Sequence, residues 1–231
     1  MLAITRFLDA LHSSRWDVAT EVAVEMGGDI LRLVDNRGWN ALHYAVWNDC
    51  PASLAVVLVS QLGIPINSRD RRGNTCMHDA AFQNVNLVLV AALIDLGGDC
   101  NLANFQGETA VFEASYRSSA GLLEILLTKG RGDANVFTLA YRTPLISAVR
   151  ERSNLYVIAK LLQFHADLDQ VDFTQTTALE WAKRATYPAA VWLLERVRVM
   201  MVLVSPYSVT RWSRNRCMLP IELLRQVNMY I

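Results

Sequence analysis

Asp79 and Glu113 are the residues whose type and spacing come nearest to chemistry: two carboxylates 34 positions apart, each at the same place in a recurring six-residue pattern. If that pattern marks helices stacked side by side, the two groups stand about 10 Å apart. At that distance one could give and the other take a proton through a bound substrate. The plainer assignment is a variable surface position, and the chain is expected to be no enzyme. His43 and His78 also share one place in the pattern, so a single structural role covers both. His12 and His165 belong to no metal motif, and no phosphate loop, nucleophile elbow or zinc spacing occurs. No metal and no cofactor is expected.

Composition narrows the field further. Of 231 residues 52% are apolar and 19% charged, which supports an extended core and argues against disorder. Net charge is zero, so bulk attraction to nucleic acid or to an anionic membrane is not expected. Cys50, Cys76, Cys100 and Cys217 lack paired spacing, which suits a reducing compartment. Arg6 and Asp9 interrupt any N-terminal apolar run, so no secretory signal is read there. The late apolar stretch 199–204 falls far short of the ~20 residues a bilayer span needs. A cytoplasmic protein is expected, with the nucleus as an alternative.

What must position these side chains is a repeat. The pattern occurs as Asn40-Ala41-Leu42-His43-Tyr44-Ala45, Thr75-Cys76-Met77-His78-Asp79-Ala80, Thr109-Ala110-Val111-Phe112-Glu113-Ala114, Thr143-Pro144-Leu145-Ile146-Ser147-Ala148 and Thr177-Ala178-Leu179-Glu180-Trp181-Ala182. Successive starts are 35, 34, 34 and 34 residues apart. Asn67, Asn101, Asn135 and Asp169 form a second ladder of the same period. Gly38, Gly73 and Gly107 each stand two residues before the pattern, where a turn is expected. Gly63, Gly97-Gly98 and Gly130 are expected to close second helices in the left-handed conformation. Each unit therefore reads as two helices: a small, alanine-bearing one and a greasier one such as Leu87 to Ile94 or Leu122 to Leu127. One pair cannot bury that much apolar surface alone, so the units must stack.

A period in the thirties with Thr-Pro-Leu-His-x-Ala character resembles the ankyrin repeat. The resemblance covers roughly 35–196 and implies an all-α solenoid of helix-turn-helix units with β-turn fingers. A divergent N-terminal repeat is expected over 1–34, ankyrin repeats over 35–204 and a C-terminal capping helix over 205–231. The Thr hydroxyl is expected to cap the first helix, and the resemblance implies that the His bonds the backbone of a neighbouring turn.

The resemblance also implies a partner: a protein or extended peptide held by the fingers and the exposed ends of the first helices, with the chain itself a monomer. The matching finger positions include Trp39, Arg71, Arg72, Phe105 and Arg142. The matching helix positions are Trp47, Phe82, Tyr116, Arg150 and Arg184. Aromatics and arginines dominate binding hot spots. The order of types suggests a groove with an aromatic N-terminal half and a basic C-terminal half, suited to a segment with apolar anchors at one end and acidic residues at the other.

The tail offers an alternative. Leu219-Pro220-Ile221-Glu222-Leu223-Leu224-Arg225 is similar to the opening of an F-box and to the short boxes that dock ankyrin proteins onto cullin ubiquitin ligases. On that analogy Leu219, Pro220, Leu223 and Val227 would contact a cullin-ligase adaptor, and the chain would be a substrate-recognition subunit.

Overall fold

The computed structural model describes residues 2–204. The proposed capping helix and docking residues Leu219, Pro220, Leu223 and Val227 lie outside the described residues. Among the described residues twelve α-helices stand in six successive pairs. They are α1 (Leu2–His12) with α2 (Trp16–Met26), α3 (Ala41–Trp47) with α4 (Ala52–Val56), and α5 (Cys76–Gln83) with α6 (Leu87–Asp95). Then follow α7 (Ala110–Tyr116) with α8 (Ala120–Thr128), α9 (Pro144–Arg150) with α10 (Leu155–Gln163), and α11 (Ala178–Arg184) with α12 (Pro188–Val204). A 3-10 turn follows α2 and one π turn extends α4. First helices pack on first helices from α3 through α11, and second helices on second helices from α2 through α12. The all-helical solenoid expected from the repeat is the fold.

Local chemistry starts each first helix at the repeated position. Thr109, Thr143 and Thr177 accept the N–H of Phe112, Ile146 and Glu180 at 3.3, 3.2 and 3.3 Å. Asn40 does the same for Leu42 and His43, both at 3.0 Å. Each bond satisfies an amide that the helix itself leaves orphaned. The helix ends follow expectation at Gly63 and Gly97, which are left-handed, but not at Gly130. There Arg131 takes the positive φ instead. Gly130 is needed for space: a Cβ on it would press into the Cys100 side chain and the Leu126 carbonyl.

The core is one continuous apolar layer between the two helix rows. Ala80, Ala114 and Ala148 are fully buried or nearly so, which lets first helices approach closely, while Leu89, Leu93, Leu122, Leu126, Ile158 and Leu161 fill the second row. Burying each such large side chain contributes about 2 kcal/mol. In α12, Ala190, Leu193, Leu194 and Val197 are buried at helical spacing and close the last described unit.

The asparagine ladder staples the outer edge. Asn67 Nδ2 donates to the Gly97 carbonyl at 3.0 Å and its Oδ1 accepts the Asp99 N–H at 2.9 Å. Asn101 repeats this with Arg131 and Asp133, and Asn135 with His165 and Asp167. Asp169, the acidic last member, instead pairs with Arg198 of α12 at 3.1 Å.

Candidate functional site

Five finger turns project beside the first helices, and all five are built alike. The backbone of Asp35, Asp70, Asn104, Thr138 and Asp172 closes each finger by donating to the carbonyl four residues on, at 2.8–3.2 Å. Their side chains accept amides from the turn they open: Asp70 Oδ1 takes the N–H of Arg72 and of Asn74, both at 2.8 Å. Asn104 and Thr138 perform the same bond as the aspartates with a different group. The glycine column continues too. Gly38, Gly73 and Gly107 have positive φ, and Tyr141 and Gln175 adopt the same left-handed conformation at φ 54 and 56.

Neighbouring fingers are joined by backbone bonds: Arg71 N–H to Arg37 O at 2.8 Å, Phe105 to Arg72 at 2.9 Å, Leu139 to Gln106 at 2.9 Å and Phe173 to Ala140 at 3.4 Å. This lines up one column at the tips: Asn36, Arg71, Phe105, Leu139, Phe173. The last three are 66, 76 and 64% exposed. Phe137 and Tyr141 stack beside them, ring centroids 6.1 Å apart. The tips therefore become apolar toward the C-terminal end. Arg71 and Arg72 are exposed at the N-terminal tips. Arg142 is half-buried, and its buried Nε has no partner.

The helix positions form a stacked series rather than a set of free rings. Trp39 is nearly buried, its indole N–H donating to Asp70 Oδ2 at 3.3 Å. It leans on Trp47 at 4.9 Å between centroids, and Trp47 stacks on Phe82 at 5.6 Å. The series is closed at both ends by guanidinium groups: Arg37 lies 4.1 Å over Trp39 and Arg117 lies 3.6 Å over Phe82. Phe82 and Tyr116 keep about 40% of their surface in solvent. In the expected basic half, Arg150 and Arg184 both sit over Trp181, at 4.5 and 5.5 Å, and Arg184 also donates to Thr176 Oγ1 at 3.0 Å. Trp181, which was not among the expected contact residues, is thus the seat of that half.

Between the N-terminal fingers and α3, α5 and α7 lies a cleft of about 500 Å³. Trp47 and Phe82 wall it, and Asp79 and Glu113 line it. Asp79 corrects an expectation. It is no surface residue but 3% exposed, because α5 is sandwiched between α3 and α7 beneath the fingers. Its Oδ2 meets no donor. Burial pushes its carboxyl well above the usual carboxylate range, with the charges of Asp70 and Glu113 adding. Burial, helped by Glu108, raises Glu113 to about 7. Asp35 is the opposite case: burial works to raise it, but bonds from Arg37, Trp39 and Tyr44 outweigh this and hold it at about 2.

The other candidate groups are engaged in structure. Thr75 N–H donates to His78 Nδ1 at 3.0 Å, leaving Nε2–H to donate to the Glu108 carbonyl at 2.9 Å. His43 differs: its Nδ1 lies 2.8 Å from Asn40 Oδ1, and its Nε2 lies 3.4 Å from the Asn74 carbonyl. Burial lowers both imidazoles' affinity for a proton. Cys50, Cys76 and Cys100 are free and buried, and burial lifts the Cys50 and Cys100 thiols to about 12. Among the described residues no group of three or more His, Cys, Asp or Glu is placed to hold a metal ion. None of the described helices is long and apolar enough to cross a membrane.

The chain is similar to known proteins. The chain is 28% identical over 134 residues to neurogenic locus notch homolog protein 1 of Xenopus laevis, covering 58% of this chain and 5% of that protein. It is 31% identical over 116 residues to the Mus musculus protein of the same name, covering 50% and 4%. The chain thus spans about one twentieth of the length of these notch relatives. No family model matches it. To I-Kappa-B like protein F1 of Microplitis demolitor bracovirus it is 30% identical over 114 residues, covering 48% of this chain and 70% of that protein. With the stacked helix pairs, the capped first helices and the finger turns already described, this likeness shows that the chain belongs to the ankyrin-repeat family.

Proposed function

We propose that the chain is a non-catalytic protein-interaction scaffold that holds an extended segment of a partner protein across its fingers and first helices. One observation carries the reading: Phe105, Leu139 and Phe173 stand one repeat apart at the finger tips and are 66, 76 and 64% exposed. Large apolar side chains set out in a row on a rigid edge mark interaction sites, and stacked repeats offer an extended surface for such partners. The engaged imidazoles and raised thiols favour binding over catalysis. The free, buried cysteines favour a reducing compartment, and the cytoplasm is proposed.

The test is affinity purification with the full chain and with a Phe105→Ser, Leu139→Ser, Phe173→Ser variant. Recovery of specific partners should fall by about tenfold with no loss of melting temperature, since the three side chains are exposed. Undiminished recovery would overturn the finger face as the binding surface.

A second reading, the cullin-ligase adaptor, is supported by the sequence of residues 219–227 alone. It expects ligase subunits to be lost, and other partners kept, when the bait ends at Val204.

A further inference from the structure

Two carboxyl groups that line the cleft between the N-terminal fingers, Asp79 and Glu113, form no ion pair among the described residues. Asp79 is 3% exposed, lines the cleft and leaves Oδ2 without a hydrogen-bond donor. Glu113, one repeat on, lines the same space and makes no ion pair among the described residues. The other two acids there are already used. Asp70 accepts amides of its own finger and the Trp39 indole, and Glu108 Oε2 accepts Asn104 Nδ2 at 3.0 Å. Two of the nearby cations are used, Arg37 by Asp35 at 2.9 Å and Arg117 by Phe82, while Arg71 and Arg72 line the cleft with exposed side chains that form no ion pair with Asp79 or Glu113. Buried carboxyl groups are ordinarily satisfied, and one that is not points to a missing partner.

We propose that the cleft receives an arginine side chain of the partner, its guanidinium paired with Asp79 and Glu113. The proposal rests on the protein-interaction reading and narrows it to a chemistry. Arginine fits better than lysine because its planar fork can meet two carboxylates at once.

Such a site is sensitive to pH. Burial raises Asp79 and Glu113, Asp70 and Glu108 add to this, and Arg37 and Arg117 oppose it. His78, Arg71 and Arg72 complete the titratable and charged groups around the cleft. An entering cation favours the ionised carboxylates, so binding releases protons and strengthens as pH rises through about 7.

The test is an NMR titration of the 15N-labelled full chain with N-acetyl-arginine amide, and with N-acetyl-citrulline amide as its uncharged isostere, at pH 6 and pH 8. Saturable shifts should appear at the cleft, including the Trp47 indole N–H, for the arginine probe only. The dissociation constant should fall about tenfold from pH 6 to pH 8, and Asp79→Asn and Glu113→Gln should each weaken binding by about tenfold. Melting curves check that both variants fold, and Glu113→Gln, at the less buried site, serves alone if Asp79→Asn does not. No saturable shift, an equal response to citrulline, or parent-like binding by the folded variants would overturn the pocket. That failure would leave the finger test untouched. Arginine binding with a finger variant that keeps all its partners would instead uphold the pocket and remove the finger face.

Discussion

His78 donates its Nε2–H to the carbonyl of Glu108 at 2.9 Å, tying the first helix of one repeat to the finger of the next. The same ring accepts the Thr75 N–H, so one neutral imidazole caps its own helix and staples its neighbour. His78→Ala should therefore cost about 2–3 kcal/mol, leaving two buried polar groups unmet. His43→Ala should cost less, because its cross-repeat contact is 3.4 Å. Urea denaturation of the two variants measures the difference.

The histidines also set a sign for pH dependence. Burial lowers their folded-state pKa below the unfolded value of about 6.5. The unfolded chain then binds protons first, so their contribution is present above about 6.5 and is lost as pH falls toward the folded pKa. A stability profile between pH 5 and 7 should be flatter in His78→Gln than in the parent.

Glu113 has the opposite sign. Its folded pKa is raised from 4.5 to about 7, so the folded chain keeps a proton that the unfolded chain releases. That contribution is present at acid pH and lost as pH rises through about 7. Glu113→Gln should raise stability at pH 8 by on the order of 1–2 kcal/mol, discounting for its partial exposure, and change it little at pH 5. Chemical denaturation at the two pH values decides this.

Gly73 and Gly63 make a matched pair, with φ of 80 and 73. A Cβ on Gly73 would come within 2.9 Å of the Phe105 backbone N, whereas one on Gly63 meets nothing within 4 Å. Gly63→Ala should cost about 1 kcal/mol from backbone strain alone, and Gly73→Ala at least twice that. Gly73→Ala should also weaken partner capture, since it displaces Phe105. Thermal melts and the affinity assay read the two effects separately.

Asn101 bridges to Arg131 and Asp133 through both ends of its amide. Asn101→Asp keeps the acceptor and loses the donor, and Asn101→Ala loses both. Stability should fall in that order, by about 0.5 and then 1–2 kcal/mol, because the site is exposed and water replaces part of each bond. Hydrogen exchange should show the loosening concentrated at residues 131–133.

The sequence by itself determined the solenoid and its register. A period of 34 in the Thr, Asn and Gly columns leaves little freedom, since capping, cross-repeat amide bonds and left-handed turns are local demands that particular residue types meet. It therefore placed the caps at Thr109, Thr143 and Thr177 and the ladder at Asn67, Asn101 and Asn135, though not the ladder's bonds, and the ankyrin resemblance implied the cross-repeat role of His43 and His78. What only the tertiary structure decided is which members of a column face solvent and which charges meet. Asp79 and Trp181 occupy equivalent positions, yet one is buried beneath the fingers without a donor and the other carries two arginines on its ring. Trp39 reads as a hot spot and is instead packed under its neighbours. The physical reason is that burial and ion pairing depend on what the adjacent repeat supplies across the stack, and that is set by residues one period away whose side chains vary freely within the same backbone.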